Sequence, residues 1–565
     1  MNSTETQLLS TAVMGTAAIE STSRSAEAAT SLKGVLSFRG KYRTLHLTWF
    51  AFFSTFVVWF SFAPFSTTIQ NELGLSSAEV ATIGLANIGL TVPARIFIGM
   101  ALDHWGPRRV FSTLLMFAFI PNTVFAFSSS LSALVLSRLA LSVVGAGFVV
   151  GIRLVAEWFP PKELGTAEGV YGGWGNFGSA FAAFTLPMFA VLIAFVTGGD
   201  NGWRWAIFSV GLIAAVYGLL FRRLVTDTPE GVTYAKPKQK GALEVTSRGA
   251  VFGLAVLTVP FNAILAVIAW RIWRVGVIGD LVLVGVIVAV CVLTVIQLTL
   301  VFKVNGPALR NEYVEEDKYP FRSVVVLCAA YFATFGSELA VVTMLPGFFE
   351  GTWGLSATIA GAAASCFAFM NLVARPTGGM LSDLFGSRKR TLAFLLVGLI
   401  VGYVLLATVS GSWPVVLAVV AAMCCSFFVQ SGEGAVFAIV PLVKKRVSGQ
   451  IAGLAGAAGN VGAVSFLTIR LLLIERANES PTDGFTVSSA ERIFFLVLAA
   501  AALLAFAANR FLVEPKNSFA TDLVVDEIVT DPAIGEDPEG VEDPEVAVTE
   551  VPESSAPALP DSVLA

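Results

Sequence analysis

An arginine occurs twice in this chain, each time inside one of two apolar segments that resemble each other. The first segment has Arg95 ahead of Gly99-x-x-x-Asp103, and the second has Arg375 ahead of Gly379-x-x-x-Asp383. All three residue types recur at one constant offset of 280 residues (95 to 375, 99 to 379, 103 to 383). A guanidinium is permanently charged and costly to place inside lipid, so its repetition predicts a function for both copies.

The depth of the two arginines indicates what they could bind. Arg95 lies eight residues before Asp103, which at ~1.5 Å per residue is roughly 12 Å from the helix end, near the middle of a ~30 Å hydrocarbon layer. Arg375 precedes Asp383 by the same interval. Two facing guanidiniums repel each other unless an anion lies between them, and their planar fork suits a planar oxyanion. The alternative is that each arginine pairs with a carboxylate or with backbone carbonyls.

A second pattern is also duplicated, and it combines closely spaced glycines with one asparagine. The asparagines are Asn176 and Asn460, and the glycines that flank them are Gly172, Gly175, Gly178, Gly456, Gly459 and Gly462. Glycines at this spacing most often allow close helix packing in membranes. An asparagine at the same place in both copies is not needed for packing, and its amide could bind an anion or steady an arginine. We therefore expect both packing and substrate contact.

Composition places these motifs in a membrane. The chain has 565 residues, of which 55% are hydrophobic and 13% charged, with a mean hydropathy of +0.77. The apolar residues form continuous runs of about twenty, which predicts an all-α polytopic membrane protein and excludes alternating β-barrel strands. Six runs precede residue 224, six follow residue 321, and two lie between them, which gives about fourteen spans.

The runs divide the chain into seven predicted regions. These are an N-terminal tail (1–43), a six-helix half (44–223), a linker (224–249), an inserted hydrophobic hairpin (250–303), a second linker (304–321), a second six-helix half (322–513) and an acidic tail (514–565). Lys and Arg gather in alternate loops, which predicts that both termini and both linkers are cytoplasmic. The hairpin would place Arg271 and Arg274 on the outer side, so an interfacial or re-entrant insert is the alternative to a full hairpin. The acidic tail reads as disordered, either simply solvated or able to dock a regulator.

The duplicated Gly-x-x-x-Asp-x-x-Gly-x-Arg-Arg/Lys loop resembles the signature loop of the major facilitator superfamily. That resemblance implies two six-helix halves related by a pseudo-two-fold axis, with Asp103 and Asp383 in gating and structural roles at helix ends. The paired arginines with the two glycine–asparagine segments resemble the nitrate/nitrite porter family, in its bacterial or cyanobacterial-type permeases. A multi-pass protein of the plasma (inner) membrane is implied.

The resemblance also implies roles for single residues. Arg95 and Arg375 would clamp nitrate or nitrite, and Asn176 and Asn460 would contribute to the site. Three rings would border the anion, namely Tyr331, Phe335 and Phe148. Transport would proceed by alternating access, as the two halves rock around the site.

The driving force is less evident, because the family contains both proton-coupled symporters and nitrate/nitrite exchangers. A symporter needs a buried titratable group, and the apolar runs offer Glu433, ahead of Glu338, with Arg138 as an associated basic position. Each could instead belong to a structural ion pair, Arg138 with an acid or Arg153 with Glu157 one turn on. We expect proton-coupled uptake, with exchange as the alternative.

Other function classes find little support in the residues. No nucleophile–base pair, metal-ligand spacing or phosphate loop appears, so we expect neither an enzyme nor a cofactor or metal protein, and no nucleic-acid partner. A membrane sensor that signals through the acidic tail is a different-class alternative, which the intact duplicated arginines disfavour. A facilitator for an organic carboxylate or sugar phosphate is a nearer alternative.

Overall fold

The computed structural model describes residues 34–199, 201–238, 241–274, 276–479, 485–515 and 518–521. Regular structure within these ranges is helical throughout, as the continuous apolar runs predict. Most of the N-terminal tail (1–33) and of the acidic tail (522–565) lies outside the described residues, so their predicted character is not addressed by the structure.

Fourteen helical segments are long and apolar enough to cross a membrane, which confirms the predicted number. The first half contains α1 (Gly40–Leu73), α2 (Thr82–Trp105), α3 (Pro107–Phe127), α4 (Leu131–Trp158), α5 (Pro161–Thr197) and α6 (Gly202–Leu224). The hairpin contains α7 (Arg248–Arg274) and α8 (Asp280–Val304). The second half contains α9 (Glu315–Trp353), α10 (Ile359–Leu384), α11 (Arg388–Leu406), α12 (Val415–Val443), α13 (Lys445–Asn478) and α14 (Val487–Asn509).

Both helices that carry the repeated arginine are interrupted just before it. In α2 the helix Ser77–Gly89 ends and a new one, Thr91–Trp105, begins across Leu90. In α10 a 3-10 turn over Met370–Leu372 precedes the helix Ala374–Leu384. Pro93 and Pro376 each occupy the third position of the second helix, where the ring has no N–H to donate and clashes with the preceding turn. The sequence thus places a kink beside each arginine.

The inserted pair α7–α8 forms a hairpin of two helices that are each long and apolar enough to cross a membrane. Asn262 of α7 donates its amide to Thr294 (3.0 Å) and to Gln297 (2.9 Å) of α8. On its other side α7 packs against α2 and α13, one helix from each half. Arg271, which was anomalous for its side of the membrane, lies 3.9 Å from Glu475 of α13.

A buried ion network fixes the two linkers that flank the hairpin. Arg446, in the 3-10 turn that begins α13, pairs with Glu244 of the first linker (2.6 Å) and with Asp317 in the 3-10 turn where the second linker joins α9. Lys444 adds a contact with Asp317 at 2.9 Å. The linkers are therefore bonded to the second half rather than merely connecting two halves.

The predicted start of the disordered tail needs a correction. Glu514 accepts hydrogen bonds from the Arg388 backbone N–H (2.6 Å) and the Ser387 hydroxyl (2.8 Å), and Ala520 accepts from the Lys162 backbone N–H (3.1 Å). These contacts reach both halves. Residues 514–515 and 518–521 thus belong to the folded body.

Candidate functional site

The two repeated arginines are buried at the interface between the halves. Arg95 is 0% exposed and Arg375 is 1% exposed. Each points its guanidinium at the glycine-rich helix of the opposite half: Arg95 Nη1 donates to the Gly456 carbonyl of α13 (2.6 Å), and Arg375 Nη1 donates to the Gly172 carbonyl of α5 (3.4 Å). The kinks and the cross-half contacts together hold both side chains at the centre.

Arg95 makes its hydrogen bonds and its ring contacts with neutral groups. Its Nε donates to the Gly145 carbonyl of α4 (3.3 Å), and its guanidinium lies 5.0 Å from the ring centroid of Phe335. Its Nη2 is buried and has no hydrogen-bond partner among the described residues. A buried donor without a partner is costly, so this nitrogen is a candidate contact for an anion.

Arg375 has a charged partner instead. It forms an ion pair with Glu433 of α12, whose side chain is 0% exposed. Its Nη2 also donates to the Tyr331 hydroxyl at 3.0 Å. In this conformation the arginine is thus neutralised by a carboxylate, which is the alternative that the sequence left open for it.

The ring of Phe148 is close to both guanidiniums. Its centroid is 5.6 Å from Arg95 Cζ and 5.3 Å from Arg375 Cζ. Tyr331 stacks on it at 6.0 Å and on Phe335 at 5.0 Å, with nearly parallel ring planes. The structure therefore brings all three predicted rings to the arginines, and the π faces of Phe148 and Phe335 stabilise the buried cations.

The glycine–asparagine segments pack in matching ways. A methyl group on Gly172 would lie 3.1 Å from the Arg375 side chain, and one on Gly456 would lie 3.0 Å from the Arg95 side chain. Gly175 and Gly459 face aromatic rings, and Gly178 and Gly462 face backbone carbonyls of α1 and α9. The glycines thus let α5 and α13 approach both the arginines and the first helix of their own half.

The two asparagines lie close to this centre but are not equivalently bonded. Asn176 is 3% exposed and Asn460 is 0% exposed. Asn460 donates its amide to the Gly456 carbonyl (3.2 Å), the same oxygen that accepts from Arg95. The side-chain oxygen of each has no hydrogen-bond partner in the described part of the chain.

Three residues were considered for proton coupling, and two of them, Glu433 and Glu338, are neighbours. Glu338 accepts from the amides of Asn371 (2.6 Å) and Gln430 (3.2 Å), and it interacts with Glu433. Arg138 lies apart from them. The acid partner that was the structural alternative for Arg138 is not found within the described ranges, since Arg138 donates to the Trp59 carbonyl (3.3 Å) and lies 3.8 Å from the Phe125 ring centroid.

The predicted pairing of Arg153 with Glu157 is confirmed, since Arg153 Nη2 lies 2.8 Å from Glu157 Oε1. Arg153 also donates to the carbonyl of Ala235 at 2.8 Å, in the first linker. It therefore serves the end of α4 that meets the first linker rather than the centre.

The signature aspartates join the halves at the C-terminal ends of α2 and α10. Asp103 accepts from the backbone N–H groups of Gly449 (3.1 Å) and Gln450 (2.8 Å) at the start of α13. Asp383 accepts from those of Gly165 (3.0 Å) and Thr166 (2.6 Å) at the start of α5. A carboxylate at a helix N-terminus is favourable, so each half caps a helix of the other.

One site residue that the sequence argument missed is Phe52 of α1. It packs against Gly175 as Tyr331 packs against Gly459, and its ring lies 5.3 Å from Phe148. A signal was available, because Phe52-Phe53-Ser54-Thr55-Phe56 and Tyr331-Phe332-Ala333-Thr334-Phe335 form a third repeat. A second missed residue is Glu168, a fully buried acid within α5.

Comparison with known proteins agrees with this architecture. The sequence model of the Major Facilitator Superfamily matches residues 48–309 and 327–530. Among solved structures, the transporter FucP in its outward conformation is similar with a TM-score of 0.56 at 13% identity, over 84% of this chain and 100% of that one. The proton:xylose symporter XylE is similar with a TM-score of 0.55 at 15% identity, over 86% of this chain and 99% of that one. The predicted major facilitator fold is confirmed.

Relatives of known name are more similar in sequence. The nitrate/nitrite transporter NrtP of Picosynechococcus sp. is 49% identical over 507 residues, which covers 86% of this chain and 95% of that protein. The NrtP protein of Nostoc punctiforme is 44% identical over 86% of this chain and 96% of that one. Nitrate transporter 2.1 of Chlamydomonas reinhardtii is 29% identical over 74% of this chain and 66% of that one. All are named as transporters, not enzymes, and this chain belongs to the nitrate/nitrite porter family of the major facilitator superfamily.

Proposed function

We propose that this protein moves nitrate, and also nitrite, across a membrane by proton-coupled secondary active transport. The observation that carries the proposal is the convergence of Arg95 and Arg375, one from each half, on the ring of Phe148. A buried pair of cations at the pseudo-two-fold axis is suited to a small anion. The names of the most similar relatives support the choice of nitrate and nitrite.

In this proposal the anion binds to both arginines. Arg95 Nη2 lacks a partner among the described residues, so it can donate without breaking an existing bond. The guanidinium forks match coplanar oxygens, and the amides of Asn176 and Asn460 lie on the helices that the arginines contact. The rings of Phe148, Tyr331 and Phe335 limit the size of the cavity, so larger tetrahedral anions are excluded.

Glu433 links the anion to a proton. An anion at Arg375 must compete with the Glu433 carboxylate, because both need the same guanidinium. Protonation of Glu433 removes its charge and weakens the ion pair, which leaves the fork available. Glu338 lies beside Glu433, and because like charges repel, ionisation of both carboxylates at the same time is unfavourable. This repulsion favours protonation of one of them. Anion and proton therefore bind in concert.

Asp103 and Asp383 act as gates for the cytoplasmic side. Each caps a helix of the opposite half, so all these hydrogen bonds must break when the halves separate there. We place this side in the cytoplasm, with both termini on it and the protein in the plasma (inner) membrane, on the distribution of Lys and Arg. The acidic tail is available there for docking a regulator.

Uptake by purified protein in liposomes tests the proposal. Labelled nitrate is offered outside with an acidic-outside proton gradient, without a gradient, or with nitrite trapped inside. Gradient-driven accumulation is the expected result, and nitrite should compete. Uptake that depends on internal nitrite and not on the gradient would favour exchange. Accumulation of an organic carboxylate that nitrate does not inhibit would overturn the assignment.

A further inference from the structure

A buried carboxylic acid in α5 lies close to the proposed anion site without taking part in it. Glu168 is 1% exposed, and neither of its carboxyl oxygens has a hydrogen-bond partner among the described residues. No ion pair involves it in the same ranges. An ionised carboxylate cannot be buried without partners at an acceptable free energy, so Glu168 is a neutral acid in this conformation.

The charged groups around α5 are already engaged with other partners. Five helices pack against it, namely α1, α4, α6, α10 and α12. Their ion pairs, including those made with residues beyond these helices, are Lys41 with Glu163, Arg153 with Glu157 and with Asp103, Lys445 with Glu157, Arg204 with Glu72, Arg375 with Glu433, and Asp383 with Arg388. Arg138 of α4 bonds to α1, and Arg222 and Arg223 lie exposed at the end of α6.

On its own helix, the nearest titratable group to Glu168 is Tyr171, whose hydroxyl donates to the carbonyls of Gly147 (3.1 Å) and Phe148 (2.9 Å). His46 of α1 lies further along α5, where it stacks on Trp174. None of these groups neutralises an ionised Glu168. The carboxyl group of Glu168 must therefore be protonated while the helices around it are closely packed.

The position of Glu168 makes that proton exchangeable. It lies three residues after Gly165, whose N–H donates to Asp383, and four residues before Gly172, whose carbonyl accepts from Arg375. Between them, a methyl group on Gly169 would lie 2.7 Å from the Arg375 carbonyl oxygen. The backbones of α5 and α10 thus touch on either side of Glu168, and separating them admits water to it.

We propose that Glu168 is a second proton-binding residue of the transport cycle, on the cytoplasmic side of the anion site. It takes a proton while the cytoplasmic side is closed. It loses that proton to water when α5 and α10 separate, since the O–H bond then breaks to leave a hydrated carboxylate. This inference rests on proton-coupled nitrate transport as the proposed function.

The second half has no equivalent of this acid. The glycine–asparagine segments are offset by 284 residues (176 to 460), which places Ala452 where the first half has Glu168. The proton site at Glu168 therefore has no counterpart in the second half. It lies on the crossing of α5 with α10, and not on that of α13 with α2.

The experiment measures the number of protons that accompany each nitrate in proteoliposomes. This number is obtained from the pH gradient and the voltage at which the net flux of nitrate changes direction. Glu168→Gln keeps the shape and mimics the neutral acid. We expect this ratio to fall by one proton per nitrate, with nitrate–nitrate exchange preserved. The matched control is Glu163→Gln, on the same helix but partly exposed and paired with Lys41, which should leave the ratio unchanged.

Two results would overturn the inference. One is an unchanged proton-to-nitrate ratio in Glu168→Gln. The other is loss of exchange in both Glu168→Gln and Glu168→Asp despite monodisperse protein, since that indicates a purely structural role. Wild-type protein that takes up no nitrate would instead refute the proposed function, so the two failures are distinguishable.

Discussion

The two halves hold the same arginine in the same frame but give it different partners. Arg95 contacts backbone carbonyls and rings, whereas Arg375 has the Glu433 carboxylate and the Tyr331 hydroxyl. When Glu433 is ionised, the charges of Arg95, Arg375 and Glu433 add up to one positive charge. The difference indicates that the first half supplies the attraction for an anion, while the second half supplies the means of regulating it.

The largest expected effect is the loss of stability when the arginine of the second half is separated from its carboxylate partner. The arginine of the first half should not show this effect. Arg375→Gln leaves Glu433 buried without a counter-charge, which we expect to lower the free energy of unfolding by about 3–5 kcal/mol. Adding Glu433→Gln should restore most of the loss, since it removes the unpaired charge. Thermal unfolding in detergent measures both variants.

The matching test in the first half is Arg95→Gln with and without Glu433→Gln. Because Arg95 has no carboxylate partner within the described residues, the second substitution should rescue nothing there. Equal rescue in both backgrounds would show that Glu433 serves both arginines, and the comparison between the halves would then fail.

The next effect is on transport, and both halves should show it. Arg95→Lys and Arg375→Lys keep the charge but remove the planar fork, so we expect nitrate uptake to fall roughly 100-fold, equivalent to about 2.7 kcal/mol. Initial rates in proteoliposomes provide the measurement, with Arg390→Lys as a control at an exposed position. Near-normal uptake by either variant would reject that arginine as an anion ligand.

Much of the fold and part of the site could be predicted from the sequence. Continuous apolar runs gave the number of spans, and the constant offset of 280 residues placed Arg95 and Arg375 at matching depths. The kinks follow from Pro93 and Pro376, which the same segments contain. These features are local or repeated, so a single chain reveals them.

Partner choice could not be predicted in the same way. Glu433 was identified as a buried acid, but its pairing with Arg375 depends on how α12 packs against α10. For Arg138 an ion pair with an acid was one alternative, and it contacts a carbonyl and aromatic rings instead. Glu168 could have been recognised, since it is an acid inside a predicted span, but only packing shows that it lacks a partner.

The two helix crossings that close the side of the signature aspartates should contribute equally, even though the partners of the two arginines differ. A methyl group on Gly169 would lie 2.7 Å from the Arg375 carbonyl oxygen, and one on Gly453 would lie 2.5 Å from that of Arg95. Substitution by alanine at either position should wedge the halves apart and lower uptake roughly 10-fold, equivalent to about 1.4 kcal/mol. The rate of labelled-nitrate uptake measures this.

The control for that prediction is Gly361→Ala, where the added methyl group meets nothing within 4 Å. It should leave uptake unchanged. A loss confined to one of Gly169→Ala and Gly453→Ala would show that the halves separate along one crossing only, which would extend the asymmetry from the arginines to the gate.

The smallest expected effect concerns a second matched pair, in which an acid that follows the sixth helix of each half caps a signature loop. Asp227 accepts from the Arg108 backbone N–H and Glu514 from that of Arg388, both at 2.6 Å. Glu514 also accepts from the Ser387 hydroxyl. Loss of such a cap destabilises by about 0.5–2 kcal/mol. We expect a loss of about 1 kcal/mol for Glu514→Gln and of about 0.5 kcal/mol for Asp227→Asn.

The reason for the difference is that burial raises the pKa of Asp227. A carboxyl whose pKa is higher in the folded than in the unfolded protein contributes most to stability below its unfolded pKa of about 4. That contribution is lost as the pH rises through the folded pKa. The stability difference between wild type and Asp227→Asn should therefore grow as the pH is lowered from 7 towards 4, in thermal unfolding of the purified protein. A difference that shrinks on acidification would mean that the ionised carboxylate is the stabilising form, and that the two caps are equivalent after all.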